Sequence, residues 1–427
     1  MTRKGRPLVI TDPTLLVRRD NDRLVMIREK SAVFAMPLRE ISHVAIHGPV
    51  TMTGAAVAGL LDEGIDVTLH SSSGRWRGTL SSAQSGNVYL LLAQVDAWQR
   101  PARRVAAVQA LIAGKIAGQR QIVRRAWLDR SRVRCEAAAR RLGELEARCW
   151  AEDDLDALRG VEGLASAEYF GVFDELLGEG WRWPGRVRRP PTDPVNAMLS
   201  FGYTLACGEV GRALTLRGFD TRIGLLHGLR YGRESLVLDM VEEFRAAMVD
   251  RFVLKRTNLG QVKVEDFETH DDGAVRLRDS ARRDFLEAWE KMLDERPVAV
   301  LRGRDDDTRA MVLSERLQRP SRGEAEGDED DEDSEARKGG TKEGAKEGAP
   351  TTWRTRIERQ VGRLWGFLMK NEPYVPMTLT RKAVLAQQAA RAKGGRESGG
   401  MEGTLEGGAD RDEEGGPKVV RQRPPKR

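Results

Sequence analysis

The sequence predicts an α+β protein with a small N-terminal β-rich domain and a larger helical domain. From Leu8 to about Ser82, short apolar runs separated by turn residues are typical of strands. From Asn87 onward, apolar residues recur at helical spacing. From about Arg319 to Thr352, an acidic, glycine-rich segment has almost no residues able to form a core, which indicates disorder.

Shifts in composition divide the chain further. We expect a β-rich domain at residues 1–82, a helical domain at 87–318, a disordered acidic linker at 319–352, a C-terminal helix at 353–378 and a disordered charged tail at 379–427. The run S-S-A-Q-S-G before Asn87 is typical of a junction between domains. The C-terminal helix is predicted, packed against the helical domain, because apolar residues recur on one side: Trp353, Ile357, Val361, Leu364 and Leu368.

Composition limits the classes of protein to consider. With 427 residues, 40% of them hydrophobic, the chain can form two domains and a sizeable core. Its net charge of +6 favours an anionic partner. Cys135, Cys149 and Cys207 form no C-x-x-C pair, which argues against a zinc ribbon or disulfide framework and for a reducing cytosol. Because the sequence shows no signal-peptide or transmembrane pattern, we expect a cytoplasmic protein without membrane contact.

The β-rich region has a regular pattern of elements. Strands are predicted at L-V-I-T-D, L-L-V-R-R, R-L-V-M-I-R-E, A-V-F-A-M-P-L, I-S-H-V-A-I-H, I-D-V-T-L-H and R-W-R-G-T-L. A short helix is predicted before the strand I-D-V-T-L-H, with Thr51 or Thr53 near its cap and Gly64 at its end. His43, His47 and His70 lie on these strands, where their poor mutual spacing favours structural roles over metal binding.

The stretch of residues 194–256 carries the clearest chemistry. Asp193 before a proline is a suitable N-cap, and Gly218 a suitable stop, for a buried helix. A short turn with His227 at its centre follows, and a second helix is predicted to begin near Glu234 or Ser235. The residues between Val275 and Leu317 again have a helical pattern, after an extended segment and a turn.

The second helix has two opposed faces. Val237, Val241, Phe244 and Met248 share an apolar side. Asp239, Glu242 and Glu243 fall on the other side at i, i+3 and i+4 spacing, where like charges repel unless a cation is present. Taken alone, acids in this pattern more often form a solvated face.

Glu162 is an acid on the apolar side of a helix predicted from about Asp154 to Leu177. Within roughly 60° of it on the helical wheel lie Leu155, Leu158, Ala165, Tyr169 and Leu176. A buried carboxylate is costly unless it is paired, protonated or bound to a metal. Together with His227 and an acid of the second helix, it makes a plausible set of ligands for Mn²⁺ or Mg²⁺.

At these residues the sequence resembles the CRISPR adaptation integrase family, the larger, catalytic protein of the spacer-acquisition complex. The resemblance covers about Leu8 to Thr257 and is carried by V-E-G, I-G-L-L-H and S-L-V-L-D-M-V-E-E-F-R, in the family's order. Ala246 stands where many relatives have proline.

The resemblance implies a site and an activity. The family's metal and catalytic ligands fall on Glu162, His227 and Glu242, with Asp239 and Glu243 as supporting acids. The family joins a DNA 3′-OH to a phosphodiester at the edge of a repeat, and the same centre can act as a nuclease. It acts on double-stranded and branched DNA as a homodimer, which forms through a β-sandwich-like N-terminal domain, with a small ferredoxin-like partner.

The basic residues leave two interpretations open. Arg103, Arg104, Lys115, Arg120, Arg124 and Arg125 recur between apolar positions, either as solvated helix faces or as a phosphate-binding surface. The loop W-R-W-P-G-R-V-R-R-P-P could stack on bases, or be anchored by its two tryptophans.

Two other functions also remain open. The chain could be a DNA-binding scaffold with a metal site but little chemistry, or a general metal-dependent DNA-repair nuclease. Intact acids and histidine favour an active centre.

Overall fold

A computed structural model describes residues 5–72, 74–82, 87–130, 132–294, 299–301, 352–378 and 384–385. The predicted acidic linker and charged tail therefore lie almost entirely outside the described residues. Among the helices that are described, none combines the length and the apolar character needed to cross a bilayer.

The N-terminal region contains every strand that the sequence predicts there. Its elements are β1 (Arg6–Ile10), β2 (Leu16–Asp20), β3 (Arg23–Arg28), β4 (Ser31–Pro37), β5 (Ile41–His47), β6 (Thr51–Met52), α1 (Gly54–Asp62), β7 (Asp66–His70) and β8 (Trp76–Leu80). Helix α1 begins as predicted, because the Thr53 hydroxyl accepts a hydrogen bond from the Ala56 amide at 3.2 Å.

The remainder is mainly helical. Its elements are α2 (Val88–Gln99), α3 (Pro101–Arg130), α4 (Val133–Ala151), α5 (Leu155–Gly171), α6 (Pro194–Leu216), α7 (Ser235–Phe244), a π-helical turn (Arg245–Asp250), α8 (Arg251–Asn258), β9 (Phe267–Thr269), β10 (Val275–Leu277), α9 (Asp279–Asp294), β11 (Ala299–Leu301) and α10 (Trp353–Lys370). Asp193 caps α6 as predicted, by accepting a hydrogen bond from the Asn196 amide at 2.9 Å.

The strands form two larger sheets and a hairpin. The five-stranded sheet has the order β11-β1-β5-β7-β8, and the four-stranded sheet has the order β4-β3-β2-β6. Apolar residues of β1, β2, β3, β5 and β7 fill one core, together with residues of α1. Helices α2 to α10 contribute to a second and larger core, which includes apolar residues of the C-terminal helix.

The prediction of continuous helix from Val275 to Leu317 is wrong in two places. Val275 and Leu277 are buried around an exposed Arg276, which is the alternation of a strand, and they pair with β9. Ala299–Leu301 then pairs in parallel with β1, whose edge would otherwise present unpaired backbone groups. A strand within the predicted helical domain, Ala299–Leu301, therefore belongs to the N-terminal sheet.

A buried ionic cluster joins the five-stranded sheet to three helices. The guanidinium of Arg354, on α10, hydrogen-bonds to Glu290 of α9 and lies 3.3 Å from Glu209 of α6. It also lies 2.6 Å from Nε2 of His43 on β5. Burial, and then the charge of Arg354, lower the pKa of His43, so the neutral ring can accept this hydrogen bond. His47 and His70 stack with their ring centroids 4.5 Å apart, which suits the structural roles expected for them.

Loss of this buried cation should destabilise the fold. Arg354→Met would leave two buried carboxylates without their shared partner, so we expect the free energy of unfolding to fall by about 3–5 kcal/mol. Chemical denaturation of the full chain measures the change. Arg359→Met removes a charge from an exposed position of the same helix and should have little effect. Equal stability of both variants would contradict the prediction.

Asp250 closes the π-helical turn at the centre of the helical core. It is buried, and the Tyr203 hydroxyl donates a hydrogen bond to its carboxylate at 2.5 Å. Burial raises the pKa of Asp250 from 3.8 to about 6, although hydrogen bonds and neighbouring arginines oppose the increase.

The raised pKa of Asp250 predicts a dependence of stability on pH. The folded state holds this proton more tightly than the unfolded state, so stability should fall as pH rises from about 4 to about 6. A shift from 3.8 to about 6 corresponds to about 3 kcal/mol. Asp250→Asn cannot ionise, so its free energy of unfolding relative to the wild type should increase by up to about 3 kcal/mol as pH rises across that range. A constant stability difference at every pH would contradict the assignment, and exposed Asp271→Asn is the control.

Candidate active site

Two of the three predicted ligands meet at a lysine. The Glu162 carboxylate on α5 accepts hydrogen bonds from the Lys115 ammonium of α3 and, at 3.1 Å, from the Ser166 hydroxyl one turn along its own helix. The same ammonium lies 2.8 Å from Oε2 of Glu242 on α7. These atoms are not aligned for a hydrogen bond, and Oε2 of Glu242 is a buried acceptor left without one.

Glu242 is held as an anion inside the protein. Its other oxygen, Oε1, lies 3.1 Å from the Arg245 guanidinium, which in turn stacks 4.7 Å over the Tyr203 ring. Burial alone would raise the pKa of Glu242, but the charges of Arg245, Lys115 and His227 outweigh it and lower the pKa to about 2. The acid face of α7 is therefore a buried, charge-compensated surface, and the solvated alternative is wrong.

Asp239 organises the turn that carries His227. Its buried carboxylate accepts three backbone hydrogen bonds, from Leu225, Leu226 and His227, at 2.5–3.0 Å. The turn approaches α7 so closely that a Cβ on Gly224 would lie 2.8 Å from Oδ2 of Asp239. Only glycine fits there, which explains the G-L-L-H spacing.

The same carboxylate orients the histidine ring. Oδ1 of Asp239 lies 2.6 Å from Nδ1 of His227, so Nδ1 is the donor and Nε2 keeps its lone pair. About a third of the His227 side chain is exposed, which leaves Nε2 open to a ligand. A carboxylate behind a histidine is the usual support for a metal-binding imidazole.

The residues present fit a divalent cation in their chemistry. The carboxylates of Glu162 and Glu242 already share a cationic group, the Lys115 ammonium. Carboxylate oxygens with an imidazole suit Mn²⁺ or Mg²⁺. Within the described residues, however, no three side chains of histidine, cysteine, aspartate or glutamate already converge into a metal-binding group.

Glu243 lies in a different environment from the other acids of α7. It accepts hydrogen bonds from the Tyr374 hydroxyl and, at 2.8 Å, from the Met377 amide. Burial raises the pKa of Glu243 to about 7. The residue predicted to support the metal ligands thus anchors the segment that follows α10.

Sequence reasoning missed Lys115 and Arg245 as residues of this site. Lys115 was one of several cations in a basic helix, yet it is the single charge in the apolar run A-L-I-A-G-K-I-A-G. A lone cation in a buried helix requires an anionic partner, as Glu162 requires a cation, and this signal could have identified it.

The other basic residues of α3 separate into two groups. Arg103 and Arg104 donate to backbone carbonyls of Phe367 and Leu225 at 2.8 and 2.6 Å, so their role is structural. Arg120, Arg124 and Arg125 are exposed on the C-terminal half of the helix and can contact phosphates.

The W-R-W loop is anchored by its tryptophans. The Trp183 indole donates a hydrogen bond to the Phe170 carbonyl at 2.9 Å. The ring of Trp181 contacts Phe267 edge to face. Both tryptophans line a cavity of about 700 Å³.

Comparisons with known proteins give one family. The family model described as "CRISPR associated protein Cas1" matches residues 8–291. The relative named "CRISPR-associated endonuclease Cas1 3" from Thermus thermophilus is 35% identical over 302 residues, which are 71% of this chain and 86% of that protein.

Solved structures share the fold. A "Casposase bound to integration product" has a TM-score of 0.64 at 17% identity and covers 91% of this chain and 99% of its own. A "Cas6-RT-Cas1--Cas2 complex" has a TM-score of 0.62 at 23% identity and covers 88% of this chain and 36% of its own. At these identities the likeness establishes the fold alone. The family match over most of the chain confirms the resemblance inferred from the three motifs: this chain is a member of the Cas1 family.

Proposed function

We propose that this chain is a metal-dependent DNA endonuclease and integrase that inserts new spacers into a CRISPR repeat array. The observation that carries the proposal is the convergence of Glu162 and Glu242 on one cationic group, together with a histidine that Asp239 orients and whose charge acts on Glu242. Relatives named CRISPR-associated endonuclease Cas1 support the nuclease activity.

The proposed reaction is a transesterification at phosphorus. A DNA 3′-OH attacks a phosphodiester at the repeat edge, a new 3′-oxygen–phosphorus bond forms, and the bond to the displaced 3′-oxygen breaks. The attacking hydroxyl loses a proton, and the departing oxygen gains one. With water as the nucleophile, the same steps give hydrolysis.

Glu162, His227 and Glu242 are the residues proposed to hold the metal. A bound Mn²⁺ or Mg²⁺ would supply polarisation of the phosphoryl oxygen and a lower pKa for the attacking oxygen. Asp239 would keep Nε2 of His227 available by accepting the proton of Nδ1. Arg245 would keep Glu242 ionised, and therefore able to bind a cation, at neutral pH.

The substrate and partners follow from charge and from the family. Exposed Arg120, Arg124 and Arg125 offer phosphate contacts on the surface of α3. We propose double-stranded and branched DNA as substrates, a homodimer formed through the two N-terminal sheets, and a Cas2-type partner such as the one named in the complex of similar fold.

The first prediction concerns metal binding. Glu242→Gln keeps the size of the side chain but removes its charge, so we expect Mn²⁺ affinity to fall by more than roughly 100-fold. Calorimetry on the full chain measures it. Glu168→Ala, on the same helix as Glu162 but away from Lys115, should bind like the wild type. Equal Mn²⁺ binding by wild type and Glu242→Gln would exclude Glu242 as a ligand.

The second prediction separates chemistry from scaffolding. On a branched DNA with a 3′-OH and a scissile phosphate, the wild type should show strand transfer or its reversal with Mn²⁺ or Mg²⁺. We expect His227→Ala to lower turnover by more than about 100-fold, because the loss of a metal ligand should cost more than the loss of a residue that only orients a ligand. Its DNA affinity should change little, because affinity comes from many phosphate contacts, and it should weaken steeply with salt.

The control for this experiment is His270→Ala, which changes a histidine in a surface turn. It should retain full activity. If folded wild type binds the branched DNA but leaves it intact with either metal and with its small partner present, the scaffold function replaces the enzyme. If it cleaves DNA but never joins strands, the repair nuclease is favoured.

A further inference from the structure

Lys115 is a buried cation placed between two acids that come from different helices. Only 6% of its side chain is exposed. Ala113 and Ile116, close to it in the sequence, are fully buried, so this part of α3 lies in the core. Its charge is balanced by Glu162 of α5 and Glu242 of α7.

We propose that Lys115 is a built-in counterion, which occupies the cation position between Glu162 and Glu242 until a divalent metal displaces it. The inference rests on the proposed function, because it takes these two glutamates as metal ligands. Lys115 is a positioning residue: it acts through the two carboxylates and not on the DNA.

The first part of the argument is electrostatic. Glu242 is buried and Glu162 is half-buried, and two carboxylates that face one point there repel each other unless a cation lies between them. Of these two acids, Arg245 forms an ion pair with Glu242 and, among the described residues, none with Glu162, so it does not hold Glu162 in place. Lys115 contacts both, and therefore keeps α5 and α7 in register around the site before any metal arrives.

The second part concerns the side chain itself. An ammonium is a compact charge on a flexible four-carbon stem, and it can withdraw by rotation about that stem. The ammonium pairs with both Glu162 and Glu242, which is the position that a cation held by the two carboxylates would take, and two cations that close together would repel each other. Metal binding must therefore replace the ammonium, which lowers the apparent metal affinity by the cost of that displacement.

When Lys115 is removed, this mechanism predicts a change in metal affinity opposite to the one that an ordinary structural role predicts. If Lys115 merely supported the ligands, its loss would weaken metal binding. As a competing counterion, its loss should strengthen metal binding and destabilise the metal-free protein. Lys115→Met removes the charge and keeps most of the side-chain volume, and Lys255→Met removes a charge from an exposed position of α8.

The experiment is Mn²⁺ calorimetry on the full-length wild type, Lys115→Met, Lys255→Met and Glu242→Gln. We expect Lys115→Met to bind Mn²⁺ at least roughly tenfold more tightly than wild type. It should also melt at a lower temperature than wild type in EDTA and gain more from added Mn²⁺. Lys255→Met should match the wild type in both measurements.

The outcomes separate this inference from the proposed site. If Glu242→Gln loses binding but Lys115→Met binds no more tightly than wild type, Lys115 is not a counterion and the metal site stands. If neither wild type nor Lys115→Met binds Mn²⁺, the metal site and the inference both fail.

A second measurement needs no variant and covers the case in which Lys115→Met does not fold. Brief acylation of wild-type lysines, read by mass spectrometry, should modify Lys115 several-fold more in Mn²⁺ than in EDTA, because the displaced ammonium loses its carboxylate partners. Exposed Lys255 should react equally in both. An unchanged reactivity of Lys115 overturns the inference.

Discussion

The pairing of carboxylates with cations at the junction of three helices is the constraint on which the helical region depends. Glu242 is buried and Glu162, which the sequence predicted to be buried, is half-buried, so Glu242 in particular would be costly as an isolated charge. Lys115 and Arg245 remove that cost by direct contact. The packing of α3, α5 and α7 is therefore specified by charge as well as by apolar surface, and the same charges form the candidate site.

Asp239 connects this ionic core to the turn that carries His227. One carboxylate binds three successive backbone amides and the imidazole, so the position of the turn and the orientation of the ring are fixed together. These bonds satisfy the acceptor atoms of a carboxylate that is fully buried. The arrangement leaves the far nitrogen of His227 as the part of the ring that can bind a ligand.

Helix α10 packs in the helical core and also contacts the five-stranded sheet, although it follows the long acidic segment. Arg354 joins it to the N-terminal sheet and to α9, while Glu243 binds the residues that follow it. Thr378 then donates to the Gly114 carbonyl at 2.7 Å, next to Lys115. The end of the described chain thus packs against the same part of α3 that carries the counterion.

The sequence by itself determined most of the local structure and the family. Alternating and helical periodicity located the N-terminal strands and the helices, and Asp193 and Thr53 marked helix starts, because these features depend on neighbouring residues alone. Three motifs indicated the family that the comparisons then confirmed. The proposed ligands Glu162, His227 and Glu242 followed from that resemblance and remain to be tested.

Only the tertiary structure decided which groups meet. Periodicity shows which side of a helix is apolar, but it does not show which distant helix covers that side. The sequence therefore could not show that Lys115 pairs with Glu162 and Glu242, or that Glu243 accepts a hydrogen bond from Tyr374. For the same reason, Ala299–Leu301 was predicted as helix although it is a strand of the N-terminal sheet. It pairs with β1, which is distant in the sequence, and the local sequence does not show that the edge of β1 is available for pairing.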